Sequence, residues 1–402
     1  HVKVKAGDFS TIDGDESYDI EVPALLWEEG DGEDLAQLVS VRRKSATSIN
    51  DKESYKLDIN EYDGDHPLAD KLWHKVQKLS LENGDDTDVV SEQLAWFMNA
   101  AAANVVYPEG HMPGLANFAT LTAHLVNNGT GNEFDFTGDI ATQYLGVYVN
   151  VEQVDKQFLK NRLAWDKDQT YLYKQTETDK TERKEVGCED DPTRIDSPTY
   201  LSLECVPFSN SEEATDDCTF DQMNSTIDME VMLSQAAISA FISSSDDMLS
   251  KGRNFFFVDY SDTTCSVGRE HKLRSYYQWD LDKAFIDIYS GVYFQYGGKD
   301  RRNQTEYQRV IFSQQAFLDM YTKKMLPLLD DSEDSIVDQA LTFLTDMQPI
   351  LTPHLEADPN SKSAVASFEL LKTWLKDRQV ILREYICLDT GSYTPVLLDL
   401  CL

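Results

Sequence analysis

Acidic and amide side chains are concentrated near the ends of two predicted strands in the second half of the chain. The strands cover Phe255–Val258 and Tyr276–Trp279, and we expect them to pair as a hairpin. The polar residues at their ends are Asp246, Asp247, Asn254, Asp280 and Asp282. Phosphoryl transfer requires one carboxylate to orient a hydroxyl group, and an amide with further carboxylates to hold Mg²⁺ on phosphates. The spacing therefore predicts phosphoryl-transfer chemistry in this stretch.

Asp280 and Asp282 are predicted to point to the same side of the chain, with Leu281 between them turned into packing. Two close carboxylates repel each other by about 1 kcal/mol in water, and by more when they are partly buried. A bound cation removes this repulsion, so we predict a metal site at Asn254, Asp280 and Asp282. The alternative is that the two aspartates end a strand as turn or cap residues, while Asn254 caps the turn before its own strand.

Asp246 is the candidate for the carboxylate that orients the acceptor hydroxyl, because such a group must lie within hydrogen-bond reach of that hydroxyl. Asp247 is the neighbouring residue and is a second catalytic candidate. The alternative is that Asp246 caps the end of a helix while Asp247 is solvated. Other chemistries have little support, because the sequence contains no HExxH and no GxSxG motif.

The composition is that of a large, strongly acidic protein. The chain has 402 residues, of which 41% are hydrophobic, and this is enough for two lobes with substantial cores. The formal net charge of −35 disfavours binding to nucleic acid or to an anionic membrane, since no basic patch is evident in the sequence. No apolar run reaches the length of a membrane span. A nucleotide bound in this negative field would need Mg²⁺ or Mn²⁺ to offset the repulsion.

Cysteine usage and glycosylation sequons favour a secreted or cell-surface glycoprotein. The six cysteines form no CxxC pair, and an even number suits disulfide bonds. The sequons begin at Asn128, Asn224 and Asn303. The chain begins at His1 without a leader, as a mature or trimmed protein would.

The first 150 residues are predicted to be rich in β-strands with one long helix. Periodicity predicts this helix from Val90 to Ala101, after an acidic cap at 85–88, and a short helix around Leu72–Leu79. The predicted strands are Ile20–Leu26, Leu38–Arg42, Lys52–Asn60, Phe118–Val126 and Gln143–Glu152.

Residues 151–402 are predicted to be mainly helical, with the hairpin as an interruption. A polar insertion at 175–228 is expected to form surface loops joined by disulfides. Lys156 and Lys174 are predicted to be charges on the surface or at a lobe interface, and Arg378 to belong to a buried ion pair. The predicted helices begin at Met229 and cover roughly Arg309–Leu329, Glu333–Leu351 and Ser363–Ile386.

Several segments, in the right order over about residues 38 to 386, resemble the CotH (spore-coat protein H) kinase family of atypical protein kinases. The segment Leu145–Leu159 is very close to the GxYxxxExVDxxFL pattern of that family, and Leu172-Tyr173-Lys174 resembles the LYK that follows it. The other similar segments are Val41-Arg42 with Lys52–Leu57, Asp246–Asn254, Trp279–Asp282 and Leu371–Arg378.

The resemblance implies an α+β, two-lobed, protein-kinase-like fold that uses ATP and a divalent metal. The N-lobe would be rich in strands and the C-lobe mainly helical. By position, Asp246 would be the catalytic aspartate, while Asn254 and Asp280 would be metal ligands. Lys52 or Lys56 would contact phosphate, since the second lysine of the family's KK pair is Glu53 in this chain.

The N-lobe residues Glu92 and Glu152 complete the predicted nucleotide-binding set. Glu92, on the long helix, would be the ion-pair partner of the lysine that contacts phosphate. Glu152, where the chain leaves the N-lobe, is part of the nucleotide-binding set or has a structural role as a hinge.

The function that this resemblance implies is transfer of the γ-phosphate of ATP to serine or threonine of extracellular or cell-surface proteins. An alternative is a catalytically weak surface protein of the adhesin or invasin type, as fungal relatives are described, which would bind cell-surface or cell-wall proteins. A third reading is that the fold uses ATP to adenylylate or glutamylate a target. We expect a secreted location, no nucleic-acid partner and no transmembrane segment.

Overall fold

The computed structural model of the chain describes residues 1–44, 52–84, 87–127, 131–167, 170–177, 180–187, 221, 224, 227–260, 274–290 and 315–389. The six cysteine side chains fall outside the part that is described, and so does most of the insertion at 175–228. The sequon residues Asn128 and Asn303 also fall outside it. The predicted disulfides and glycosylation therefore stay predictions.

Seven strands in the N-terminal part close into a barrel. Around it they follow the order β1-β2-β3-β4-β5-β7-β6, with β1 parallel to β6 and the other neighbours antiparallel. Alternate residues such as Tyr55 and Leu57 fill the barrel interior. The bounds are β1 Val2–Lys5, β2 Val22–Leu26, β3 Gln37–Arg43, β4 Tyr55–Asp58, β5 Lys78–Glu82, β6 Ala116–Asn127 and β7 Asp139–Glu152.

The strands that the sequence predicts in this part are confirmed, but the short helix around Leu72–Leu79 is wrong. Trp73 and Val76 pair in an isolated bridge, and the two residues between them adopt left-handed backbone conformations. The chain therefore turns tightly here and enters β5, where Leu79 and Leu81 alternate toward the barrel core. The two-residue spacing of Leu79 and Leu81 is therefore the pattern of a strand and not that of a helix.

Helix α1 covers Ala6–Asp13, and the predicted long helix is confirmed as α2, Val89–Ala101. The Asp88 carboxylate accepts hydrogen bonds from the backbone N–H groups of Val90 and Ser91 at 2.8 and 3.0 Å. It thus satisfies donors that the first helical turn leaves unpaired, as the acidic cap in the sequence predicts.

A four-stranded antiparallel sheet lies in the second half of the chain, in the order β11-β10-β8-β9. The prediction of surface loops from residue 175 is wrong at its start, because β8 continues to Glu177 and a second strand follows. Aromatic and β-branched residues such as Tyr171 and Tyr173 give the first strand a buried face. The bounds are β8 Thr170–Glu177, β9 Lys180–Val186, β10 Phe255–Tyr260 and β11 Arg274–Gln278.

The remaining helices agree with the predicted helical C-terminal part, with residues 309–314 outside the described part. They are α3 Lys156–Asn161, α4 Met229–Phe241, α5 Met248–Lys251, α6 Gln315–Met325, α7 Ile336–Ala357 and α8 Ser367–Asp389. Short 3₁₀ turns cover Glu33–Leu35, Leu326–Leu328 and Lys362–Val365. Within the described residues, no helix combines the length and the apolar character that a bilayer span needs.

Arg378 is buried, but among the described residues its hydrogen-bond partners are backbone carbonyls and the Ser290 hydroxyl, and not the predicted carboxylate. The guanidinium donates to the carbonyl oxygens of Ala240 and Phe241 at the end of α4, at 2.6 and 3.0 Å. It also donates to the carbonyl oxygens of Ile288 and Ser290, each at 2.7 Å. A helix C-terminus leaves carbonyls unpaired and carries partial negative charge, so it can replace an acidic side chain as the partner of an arginine.

The chain divides into two compact units. The first contains His1–Gln93, Leu115–Gln153 and Thr345–Phe368, and the second contains Leu94–Gly114, Val154–Leu344 and Glu369–Leu402. The first unit therefore holds the barrel together with a segment from late in the sequence. The second holds the four-stranded sheet and most of the helices, so the fold class is α+β, as predicted.

Candidate active site

The predicted hairpin is confirmed within the second unit. Strands β10 and β11 pair antiparallel, with Phe255 opposite Gln278 and Asp259 opposite Arg274. At the far end of the ladder, the Arg274 guanidinium binds both oxygens of Asp259 at 2.5 and 2.7 Å. The register brings the residue before β10 and the residues after β11 to the same end of the sheet.

Asn254 and Asp280, at this common end, both have left-handed backbone conformations, with φ of 59° and 61°. Such conformations are uncommon outside glycine, and they persist where the surrounding structure holds them. The Trp279 N–H donates to the Asn254 carbonyl at 3.2 Å, and the Asn254 N–H donates to the Gln175 carbonyl at 2.9 Å. These bonds fix the ends of three neighbouring strands against one another.

The Asn254 side chain connects this strand end to Asp246. Its amide nitrogen donates to the Asp246 carbonyl at 3.0 Å. Because the nitrogen is committed, the amide oxygen is the atom that remains for a cation. The Ser245 N–H donates in turn to the carbonyl of Lys283, just after Asp282. The structure thus brings Asp246, Asn254 and the Asp280 segment together, as the spacing predicts.

The Asp246 carboxylate is nearly buried and is surrounded by cations. The Arg253 guanidinium binds both of its oxygens, each at 2.6 Å. The ammonium groups of Lys251 and Lys283 lie 3.3 and 3.4 Å from it. Burial raises the pKa of Asp246, but the Arg253 and Lys251 charges outweigh this, so the net effect is a pKa below the ordinary value. Asp246 is therefore held in place and ionised.

This cationic cluster was missed by sequence reasoning, which found no basic patch. Lys251 and Arg253 are near each other in the sequence, but Lys283 comes from the segment after β11. The available signal was the Lys-x-Arg spacing of Lys251 and Arg253, which begins five residues after Asp246. It is a weak signal, because short basic pairs are common on protein surfaces.

Asp247 is oriented inward, unlike the solvated residue that the alternative reading expects. It is the N-cap of α5, where its Oδ1 accepts from the Ser250 N–H at 2.7 Å and its own N–H donates to the Ser250 hydroxyl at 2.8 Å. Burial raises the pKa of Asp247, against the hydrogen bonds from Ser250. The side chain also lines a cavity of about 10 Å³, the room of a single water molecule.

Lys174, predicted to be a surface or interface charge, lies on β8 beside the hairpin. Its ammonium lies 5.2 Å from the centre of the Trp279 ring and 5.7 Å from that of Phe256. Burial lowers the pKa of Lys174, and the charge of the nearby Asp280 carboxylate opposes this. A cationic side chain on this strand is therefore near enough to Asp280, which the sequence assigns to metal binding, for the two charges to interact.

Lys52 belongs to the first unit, where its ammonium is enclosed. It binds the Asp358 carboxylate and the Ser361 hydroxyl, each at 2.8 Å, and the Val147 carbonyl. The exposed fraction is 2% for the Lys52 side chain and 0% for that of Asp358. Phosphate contact by Lys52 stays a prediction, but all three of its N–H donors have a partner inside the unit.

The other N-lobe candidates also lie in the first unit. Lys56 is half-buried on β4, between the buried Tyr55 and Leu57, so it is on the outer face of the barrel. Glu92 is 2% exposed in the first turn of α2. Glu152 ends β7, where its N–H donates to the Leu115 carbonyl at 2.8 Å and its carboxylate accepts from the Leu115 N–H at 3.3 Å. Their nucleotide-binding roles stay predictions.

The donor set at the hairpin end suits Mg²⁺ or Mn²⁺. Within the described residues no cluster of three or more His, Cys, Asp or Glu side chains could hold a metal by itself. Mg²⁺ does not require such a cluster, because it is usually bound by one or two carboxylates together with substrate phosphates. The Asn254 amide oxygen and the Asp280 carboxylate supply oxygen ligands of this kind, and Asp282 follows two residues later.

Comparison with known protein families gives one match. A family model described as CotH kinase protein matches residues 39–382, most of the chain. The matched range includes the barrel strands from Val39 onward and the entire stretch from Asp246 to Asp282. No curated protein matches the chain.

Proposed function

This chain belongs to the CotH kinase protein family, and from that premise we propose that it is an atypical protein kinase. It transfers the γ-phosphate of ATP to serine or threonine of a protein, with a divalent metal. The observation that carries this proposal is the hydrogen-bonded set of Asp246, Asn254 and the Asp280 segment. An oriented carboxylate beside a pair of metal-type oxygen donors is the minimal equipment for phosphoryl transfer.

Each residue has a distinct task. When bound, ATP would supply the phosphoryl group, and a divalent metal would spread the charge that develops on it. Asn254 and Asp280 hold the cation, and Asp282 is a further candidate ligand. Asp246 accepts a hydrogen bond from the acceptor hydroxyl and orients it. The two bonds from Arg253 are short, whereas the ammonium groups of Lys251 and Lys283 lie 3.3 and 3.4 Å away, so the hydroxyl would take the place of one of these longer contacts.

We expect the adjacent residues Asp246 and Asp247 to differ in their effect on catalysis. We expect Asp246→Asn to lower kcat about 100- to 10,000-fold, because the hydroxyl loses its ionised acceptor. Asp247→Asn should retain kcat within about threefold, since asparagine is an equally good N-cap. Steady-state kinetics and thermal unfolding of both variants measure this. The reverse ranking would assign the catalytic role to Asp247.

Nucleotide binding tests the proposal against its main alternative, an adhesin or invasin on the same fold. We expect calorimetry with ATP and Mn²⁺ to give micromolar affinity, and little binding when the metal is removed by a chelator, since the acidic chain would repel the free triphosphate. Absence of binding would favour the adhesin. Mass spectrometry of a modified acceptor protein distinguishes phosphorylation from adenylylation or glutamylation.

The acceptor proteins and the location are also part of the proposal. We propose a secreted kinase that acts on extracellular, cell-surface or cell-wall proteins. The even number of cysteines and the sequons support this. Intact-mass analysis of protein from a secretory host, before and after glycosidase and reductant, tests it. Free thiols and an unmodified mass would argue against secretion.

A further inference from the structure

We propose that Lys174 contacts the phosphates of the bound nucleotide beside Asp280. This inference rests on the proposed function, and it names the phosphate-binding lysine for that site. The sequence offered Lys52 and Lys56 for this contact, and it treated Lys174 as a surface or interface charge. The structure points to Lys174 through its position in the sheet, its neighbours and the unused donors of its ammonium.

The position of Lys174 follows from strand register. Lys174 lies opposite Phe256 on β10, and Phe256 lies opposite Tyr277 on β11. Side chains directly opposite each other share a face of the sheet, and so do residues two apart on one strand. Lys174 and Trp279 are thus on the same face, at the end of the hairpin where Asp280 follows. This is the end at which the metal-type oxygens of Asn254 and Asp280 are found.

The neighbours of Lys174 place its ammonium at the end of the hairpin, beside the residue that precedes Asp280. The ammonium lies 5.7 and 5.2 Å from the centres of the Phe256 and Trp279 rings, and the Asp280 charge acts on it. The side chain is partly exposed, so the ammonium remains within reach of a ligand. The other charges that act on it are Lys184 and Glu182 on β9.

The hydrogen-bonding capacity of Lys174 is what distinguishes it from Lys52. An ammonium has three N–H donors. In Lys52 they have an acid, a hydroxyl and a carbonyl as partners. Among the described residues, the contacts of Lys174 are instead the two ring faces. Contact of a cation with aromatic rings compensates only part of the cost of removing an ammonium group from water.

An anion at this position would supply the hydrogen-bond acceptors that the aromatic rings do not. A triphosphate held by a cation at Asp280 presents oxygen acceptors and negative charge, which match an ammonium group with three N–H donors and one positive charge. Binding of such a ligand would therefore give the ammonium the hydrogen-bond partners that the aromatic rings do not supply.

The test compares Lys174→Met, Lys174→Arg and Lys184→Met. Methionine keeps the length and the ring contact but removes the charge, and arginine keeps the charge. We expect Lys174→Met to weaken binding of ATP with Mn²⁺, and to raise KM for ATP, by about 10- to 100-fold, with an unchanged or higher Tm. Lys174→Arg should recover most of the affinity. Lys184→Met, which removes a 39% exposed lysine from the same sheet, should bind as the wild type does.

The outcomes separate this inference from the function on which it rests. If the wild type binds ATP and needs Asp280, but Lys174→Met binds ATP normally, the lysine assignment is overturned and the kinase proposal stands. If Lys174→Met loses Tm together with affinity and Lys174→Arg restores neither, the residue is structural and the inference is also overturned. A wild type that binds no nucleotide with Mn²⁺ overturns both.

Discussion

Asp280→Asn is expected to lower phosphate transfer about 100- to 1000-fold while the protein stays folded. Asparagine has the shape of aspartate and tolerates the left-handed backbone that residue 280 adopts at φ 61°. It lacks the charge that attracts a divalent cation, so the proposed metal and its phosphates would lose an anionic ligand. The change therefore removes the proposed chemistry with little effect on the fold.

The measurement is incorporation of labelled phosphate into a dephosphorylated acceptor protein, with thermal unfolding of the same samples. Asp377→Asn, at an exposed position of α8, is the matched control and should retain full activity. Metal dependence gives a second readout, since Asp280→Asn should require a higher Mn²⁺ concentration for half-maximal nucleotide binding. Full transfer activity in Asp280→Asn would remove the basis of the kinase proposal.

Lys52→Met is expected to destabilise the protein by about 3–5 kcal/mol, which is the largest loss of stability that we predict. It would leave the Asp358 carboxylate, 0% exposed, without the ammonium that compensates its charge. Asp358 also accepts the Val147 N–H at 3.0 Å and packs against Gly146, where a Cβ would lie 2.1 Å from its Oδ2. The carboxylate therefore has no room to turn toward water.

Urea unfolding measures this prediction, and a double-mutant cycle isolates its cause. Lys52→Met combined with Asp358→Asn should be more stable than Lys52→Met alone, because the second change removes the unpaired charge. Lys71→Met, in an exposed pair with Asp63 at 3.7 Å, is the control and should alter stability by less than about 1 kcal/mol. A Lys52→Met protein of normal stability that has lost nucleotide binding would instead support phosphate contact by Lys52.

The sequence was sufficient to predict those features whose interacting residues are close together along the chain. The hairpin could be predicted because aromatic and β-branched residues are concentrated in the two short runs Phe255–Val258 and Tyr276–Trp279. The Asp88 cap could be predicted because helix capping involves residues two or three positions apart. The region around Leu72–Leu79 failed, because left-handed residues there interrupt the periodicity on which a helix assignment depends.

Partners that are distant in the sequence could not be predicted. Lys52 lies 306 residues before Asp358, and no local pattern connects them. Lys283 reaches Asp246 only because the segment after β11 returns beside the end of α4. Lys174 looked like an ordinary charge, since only the strand register reveals its ring contacts and its nearness to Asp280. The grouping of polar residues at the strand ends was thus predictable, but their charged surroundings were not.

The first compact unit is built from segments that are far apart in the sequence, and this affects how the protein folds during its synthesis. The barrel strands end with Glu152, but Asp358, which neutralises Lys52, is synthesised about 200 residues later. At a ribosomal rate of about 5–20 residues per second, Asp358 would be synthesised roughly 10 to 40 s after the last barrel strand. During that time the nascent barrel would carry an uncompensated ammonium inside a nearly complete core. Chaperones that hold early folding intermediates should therefore affect the yield of this protein more than that of a protein whose first unit is contiguous.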